Sequence, residues 1–363
     1  MLNVINTTQD PRKSIEVIDE QLYEAVRVIP KVELHRHLEG AVRLETLVDI
    51  AREYSFEMPE YEVNTLRPFV QMMPDEIYDS THFMAKFATL RQFFRSPEVI
   101  QRIAREAVYD AADDNIQYME LRFTPRALST NFKATPHEVI GWVCDSVNEA
   151  AKERGIEVRL IASLNRHESI SFGEQVLHAV LAYADRGIVA IDLAGKEEGY
   201  PASLFLPLFR DAREAGLGMT IHAGEWDGAQ SVWDAIGNIG ATRVGHGIRA
   251  LEDPGILRIM IERGITLEVC PTSNVHSGVI ASLEKHPLPW LTEQGLLTTI
   301  NTDDPLISNI TLTDEMYRTM QYMGFTLDDV KQANLRAIVA SFLPDDEKAH
   351  MVAQFRDWLY PPR

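Results

Sequence analysis

Lys31-Val32-Glu33-Leu34-His35-Arg36-His37-Leu38-Glu39-Gly40-Ala41 is a β-rich run that breaks at a glycine-containing turn and leads into a helical pattern. Strand, turn and helix in that order are the grammar of βα units and of a parallel sheet. Outward from the run Val32 to His37, the same grammar returns. Further β-rich runs fall at Gln117 to Pro125, Val158 to His167, Val189 to Gly195, Met219 to Glu225, Arg243 to Ile248, Thr266 to Asn274 and Thr298 to Pro305. Amphipathic segments such as Pro97 to Asp114, Pro136 to Glu153, Ser203 to Ala215 and Pro254 to Arg263 lie between them, several opened by proline at a first-turn position. Eight strands alternating with helices predict an α/β fold, a (β/α)8 TIM barrel.

The chain has 363 residues, more than the roughly 250 of a plain barrel. The excess is assigned to helices within one domain spanning 1–363: an N-terminal helical extension (1–30), a helical insertion after strand one (40–115) and C-terminal helices (311–363). No Gly/Ser-rich or Pro-rich stretch is long enough to divide two domains. Within the insertion, Phe83, Phe87, Leu90 and Phe94 stripe a helix read from Ile77 to Phe94. The stripe is expected to pack on the barrel, with a lid over the barrel mouth as the alternative.

Composition narrows the function. Hydrophobic residues at 45% and charged residues at 25% describe a chain that folds. Lys plus Arg number 35 against 54 for Asp plus Glu, a formal charge of -19, the wrong sign for tracking nucleic acid or an anionic membrane. Two distant cysteines, Cys144 and Cys270, form no disulfide framework, and the first twenty residues carry no basic segment followed by an apolar one. A cytoplasmic protein with a small-molecule partner is expected, with no oligomeric state implied.

Polar residues gather at the C-terminal ends of the predicted strands, where this fold places its active sites. Residues two apart on a strand share a face, so His35 and His37 can both point into the barrel. Strand five ends in Thr220-Ile221-His222-Ala223-Gly224-Glu225, strand six in Gly245-His246-Gly247, and strand eight leads into Asn301-Thr302-Asp303-Asp304-Pro305. A helix N-cap there needs only one carboxylate, and two are present. Three imidazoles and a carboxylate from strands one, five and eight suit one zinc ion, with water completing the shell. Two other zinc chemistries are excluded: there is no Pro-Cys-x-x-Cys pair and no His-Glu-x-x-His.

These motifs, residues 31–41, 222–225, 245–247 and 301–306, together resemble the adenosine deaminases among the metal-dependent amidohydrolases. Asp192-Leu-Ala-Gly195, Leu267 to Asn274 and Ser341 to Lys348 add to the likeness, which runs from Pro30 to about Lys348. The resemblance implies one zinc per chain held by His35, His37, His222 and Asp303, with water activated to attack C6 of a 6-aminopurine. It further implies that His246 takes or orients the proton of that water, that Asp303 hydrogen-bonds it, and that a protonated Glu225 donates to purine N1. Asp304 would meet N7 and the Gly195 N–H would meet N3. Because Lys196 stands in the loop beyond strand four, a second, lysine-bridged metal is not expected.

The implied reaction is hydrolysis of adenosine or 2′-deoxyadenosine to inosine or 2′-deoxyinosine plus ammonia. One departure bears on the substrate. Many adenosine-specific members have Asp where this chain has Glu39, the residue expected at the ribose 5′-hydroxyl. Adenine, or a 5′-modified adenosine such as 6-aminodeoxyfutalosine, is therefore the alternative, and a catalytically silent nucleoside-binding barrel is the reading from another class. Arg166-His167 resembles a family pair near the pocket, with an arginine bracing the barrel rim as the other reading; Cys270 is expected to sit mid-strand as core, and Trp226, Trp233 and Trp290 carry no assigned role.

Overall fold

The protein is described from a computed structural model, over residues 16–58 and 60–361. Residues 1–15 of the expected N-terminal extension lie outside the described residues; the rest of it holds the helix Glu20–Val28. Eight strands follow in chain order: β1 (Lys31–His37), β2 (Ile116–Phe123), β3 (Glu157–Asn165), β4 (Ile188–Ala194), β5 (Gly218–Ala223), β6 (Arg243–His246), β7 (Thr266–Val269) and β8 (Leu297–Ile300). Each pairs in parallel with the next, giving one sheet ordered β1 to β8. The strands are nearly all buried, because helices cover a parallel sheet on its outer face while side chains fill the barrel inside. This is the (β/α)8 barrel expected from the run pattern.

The seam between β8 and β1 positions the site. No ladder joins these strands. Instead His37 N–H donates to Asp303 O and Asp303 N–H to His35 O, both at 2.9 Å. Side chains close the rest: Asn301 Oδ1 accepts from Leu34 N–H at 3.1 Å, and Glu33 accepts from the Thr302 N–H and hydroxyl. The barrel thus closes at its mouth through the residue predicted as the carboxylate ligand.

Seven of the eight strands end earlier than the sequence suggests, β7 and β8 by the most. β7 stops at Val269, since Pro271 has no N–H for the ladder and opens the short helix Pro271–His276. Cys270 is therefore buried just past the strand, not within it. β6 stops at His246, which adopts the left-handed backbone (φ 59°), and β8 stops at Ile300, three residues before Asp303 does the same (φ 62°). A β-branched run cannot announce that turn, which costs a non-glycine residue about 1–3 kcal/mol and is concentrated at functional sites.

The helix read as Ile77 to Phe94 is shorter, Ser80–Leu90, because the Asp79 carboxylate accepts the His82 N–H and caps it. Ile77 is exposed. Phe83, Leu90 and Phe94 are buried as the stripe requires, yet Phe83, Met84 and Phe87 also line the cavity at the barrel mouth. The stripe both packs on the barrel and roofs its mouth. Among the described residues no helix is long and apolar enough to cross a membrane.

Candidate active site

Strand alternation brings His35 and His37 to the barrel mouth, and β5 supplies His222 opposite them. His35 Nδ1 lies 2.7 Å from Glu268 Oε2, and His222 Nδ1 lies 3.0 Å from Asp192 Oδ1. Each ring therefore directs its Nδ1–H at a carboxylate and leaves Nε2 as a lone pair facing inward. His35 Nε2 is buried without a hydrogen-bond partner, 3.3 Å from Asp303 Oδ1. His222 Nε2 lies 3.2 Å from His37 Nε2, which is itself 3.3 Å from the same Oδ1.

Lone pairs that converge on a carboxylate oxygen out of water repel unless a cation stands among them. A tetrahedral ion bonded at about 2.0–2.1 Å sets its donor atoms about 3.3 Å apart, close to the spacing of the His35–Asp303, His37–Asp303 and His37–His222 pairs. The buried group His35, His222, His246 and Asp303 also brings one donor atom each within 4.8 Å of the others. His246 is in this group, and the expected ligand His37 is not. The His246 Nε2, however, is 3.9 Å from Asp303 Oδ2 and 3.6 Å from Glu225 Oε2, looser than the edges made by His35, His37 and His222. A buried cluster able to bind a metal is present.

The other expected residues line the same cavity: Glu39, Gly195, Glu225, His246, Asp303 and Asp304. Burial, reinforced by the Asp303 and Glu197 carboxylates, pushes the Glu225 carboxyl well above the usual range, so it holds its proton. Burial, with Asp303 and Glu39, does the same to Asp304, whose Oδ1 is buried without a partner. Gly40 makes room for that carboxyl, since a β-carbon at position 40 would overlap Asp304 Oδ1. Burial pushes Glu39 up to about 7 against its 2.6 Å bond from the Thr124 N–H, and Oε2 of Glu39 is left without a partner.

Several residues were missed. Glu268 is fully buried and accepts from His35, Arg122, Arg243 and Thr220, and Asp192 orients His222. Glu197 accepts the N–H groups of Gly224, Glu225, Trp226 and Asp227, fixing the turn that carries Glu225. Ser273 donates to Asp303 Oδ2 at 2.6 Å. Trp226, given no role from sequence, lines the cavity together with Arg91. A charged residue in the middle of an apolar strand was the available signal for Glu268 and Asp192. Arg166 braces the rim, donating to the carbonyls of His222 and Tyr200. Lys196 is exposed.

The adenosine deaminase family model matches residues 30–358. An adenosine deaminase of Klebsiella pneumoniae is 37% identical over 324 residues, covering 89% of this chain and 97% of the relative. That of Serratia proteamaculans is 38% identical, covering 88% and 96%. Among solved structures, adenine deaminase from Arthrobacter aurescens superposes with a TM-score of 0.82 at 26% identity, covering 92% of this chain and 99% of that one. An amidohydrolase from Burkholderia ambifaria, solved with bound zinc, gives 0.83 at 26% identity, covering 97% and 98%. With a family model spanning nearly the whole barrel and relatives matched end to end, the chain belongs to the adenosine deaminase family of hydrolytic deaminases.

Proposed function

We propose that the protein hydrolyses adenosine and 2′-deoxyadenosine to inosine and 2′-deoxyinosine with release of ammonia. The observation that carries this reading is the set of buried carboxyl groups lining one cavity beside the metal-binding cluster, Glu225, Asp304 and Glu39, of which Asp304 and Glu39 each leave an oxygen without a hydrogen-bond partner. Glu225 donates its proton to purine N1, which draws electron density from C6 and admits water there. A protonated Asp304 donates to N7, the Gly195 N–H meets N3, and together they fix the ring plane against the cluster. His246 stands beside the attacking oxygen and takes or orients its proton, and Asp303 hydrogen-bonds the same oxygen. The hydroxyl proton of the adduct passes to the amino group, which leaves C6 as ammonia, and the other proton of the water restores Glu225, so one water is consumed for each ammonia formed.

His35, His37, His222 and Asp303 would hold one zinc ion, which when bound lowers the pKa of water toward about 7 and so supplies hydroxide near neutral pH. Neutral imidazoles with Nδ1–H fixed by Glu268 and Asp192 are the form such an ion requires. The nucleoside is favoured over the free base by Glu39. Adenine would leave Oε2 buried and unpaired, at a cost of about 1–3 kcal/mol that a sugar hydroxyl removes. The protein is proposed to act as a single-domain cytoplasmic enzyme. Ammonia release measured across adenosine, 2′-deoxyadenosine, 5′-deoxyadenosine and adenine tests the assignment. Adenosine should give the highest kcat/KM; a higher value for adenine overturns it, and no turnover of any of the four would favour a silent binding barrel.

A further inference from the structure

A file of buried hydrogen bonds runs from an ordinary backbone amide to the catalytic face of His246. Leu288 N–H donates to His286 Nδ1 at 3.1 Å. An amide N–H can only donate, so His286 Nδ1 is an acceptor and the ring of this neutral histidine carries its proton on Nε2. Nε2 lies 3.2 Å from Asn274 Oδ1, which must then be the carboxamide oxygen. The other end of that carboxamide is therefore its NH2 group, and Asn274 Nδ2 lies 3.2 Å from His246 Nδ1. His246 Nδ1 accepts in turn, and its proton is left on Nε2, the nitrogen facing Glu225 and Asp303.

Every group in this file is shielded from water. Leu288 and Asn274 are fully buried, His246 is 1% exposed and His286 5%. Burial alone pushes the His286 ring down to about 3, so it stays neutral and keeps a single N–H at working pH. Asn274 is itself held at both backbone ends, its N–H bonding Cys270 O at 2.9 Å and its carbonyl accepting from Ile280 N–H at 3.0 Å. Its carboxamide has no freedom to flip without setting donor against donor at His286.

We infer that Asn274 and His286 are positioning residues that lock His246 in its Nε2–H tautomer, so that His246 meets the attacking oxygen as a hydrogen-bond donor and not as the base that removes its proton. This rests on the proposed deaminase reading and narrows it, because that reading leaves His246 free to take or to orient the proton. Glu225 Oε2 at 3.6 Å and Asp303 Oδ2 at 3.9 Å are both beyond hydrogen-bond reach of Nε2. The N–H is aimed between the two carboxyl groups, where an oxygen adding to C6 would receive it. A donor placed in advance at developing charge is the arrangement that stabilises an oxyanion most cheaply.

Two measurements test the lock. In the zinc-loaded protein without substrate, nitrogen-15 NMR of the histidine rings should show His246 and His286 each protonated on Nε2 and bare on Nδ1. A proton on His246 Nδ1 would overturn the inference whatever the substrate proves to be. In the second, Asn274→Asp replaces the NH2 donor by an acceptor of the same shape and draws the His246 proton to Nδ1. A donor role predicts a fall in kcat of about 10- to 1000-fold with KM changed far less and zinc retained. A general base would instead be strengthened by the new carboxylate, so unchanged or raised kcat overturns the inference. Should Asn274→Asp fail to fold, the spectrum of the wild-type protein decides alone. Loss of the deaminase reading shows separately, as absence of ammonia release by the wild-type protein.

Discussion

Glu268 reaches across the barrel floor from β7 to His35 on β1, placing Oε2 2.7 Å from Nδ1. The contact settles which nitrogen of His35 is turned toward Asp303 and the metal-binding cluster, and it does so from a position where Glu268 is already anchored. Arg122 Nη2 at 2.6 Å, Arg243 Nε at 2.7 Å and Thr220 Oγ1 at 2.8 Å all donate to the same carboxylate. The floor of the site is therefore a fully buried ionic layer, in which a ligand histidine is one of four partners of one acid.

Removing charge from that layer should cost fold and metal together. Glu268→Gln leaves the Arg122 and Arg243 guanidinium groups without their shared carboxylate, and breaking a buried pair from one side costs about 3–5 kcal/mol. Asp192→Asn disturbs the orientation of His222, the bond from the Ser163 hydroxyl at 2.8 Å and one looser contact to Arg122 at 3.5 Å. It should weaken metal affinity by about 10- to 100-fold with a smaller loss of Tm. Thermal unfolding beside competitive zinc titration separates the two; equal loss of Tm in both variants would show that Asp192 is structural.

Metal content gives the next expectation. The purified protein should carry about one zinc per chain, the occupancy of a single four-donor site. His35→Ala and His222→Ala should lose metal and ammonia release in parallel. Atomic absorption alongside activity checks this, and His222→Ala that is inactive with full zinc would remove His222 from the ligand set.

The barrel was legible because a parallel strand covered on both faces is a short apolar run, and eight such runs alternate with amphipathic segments. His35, His37 and His222 were legible for the same reason: polar residues at the end of an apolar run are not needed by the sheet. What surrounds them was not. Glu268 and Asp192 are single acids inside strands, and their partners Arg122 and Arg243 come from strands far away in sequence. Glu197 works through four backbone N–H groups, which no side-chain pattern records. The turns at His246 and Asp303 were hidden too, since a residue other than glycine holds the left-handed backbone at each. The roof helix was half legible: its stripe reads as packing, and only the fold shows that Phe83 and Phe87 do both jobs.

Glu225→Gln tests the proton donor. The carboxamide keeps the size of the side chain and an N–H that can reach N1, yet it has no proton to give up. Turnover should fall by about 10²- to 10⁴-fold, the usual worth of general acid catalysis, with zinc content and Tm retained. Single-turnover ammonia release would locate the loss in the chemical step, and near wild-type turnover would eliminate the role.

Glu39 carries the expectation about substrate and its pH dependence. Burial holds its carboxyl at about 7 while the Thr124 N–H occupies only Oε1. A ribose 5′-hydroxyl donating to Oε2 interacts better with the ionised carboxylate than with the neutral acid, so binding should favour ionisation. As pH falls through 7 the acceptor is protonated, and KM for adenosine should rise. 5′-Deoxyadenosine, which has no hydroxyl to offer, should show a much flatter KM between pH 6 and 8 by the same assay. Glu39→Gln should flatten the adenosine profile as well, because a carboxamide does not titrate, while leaving zinc in place. Adenosine should outrun both 5′-deoxyadenosine and adenine at pH 8, where the carboxylate is ionised and would otherwise be buried without its second partner. A KM for adenosine that is as flat as that of the 5′-deoxy compound, together with a nearly silent Glu39→Ala, would take the sugar away from Glu39.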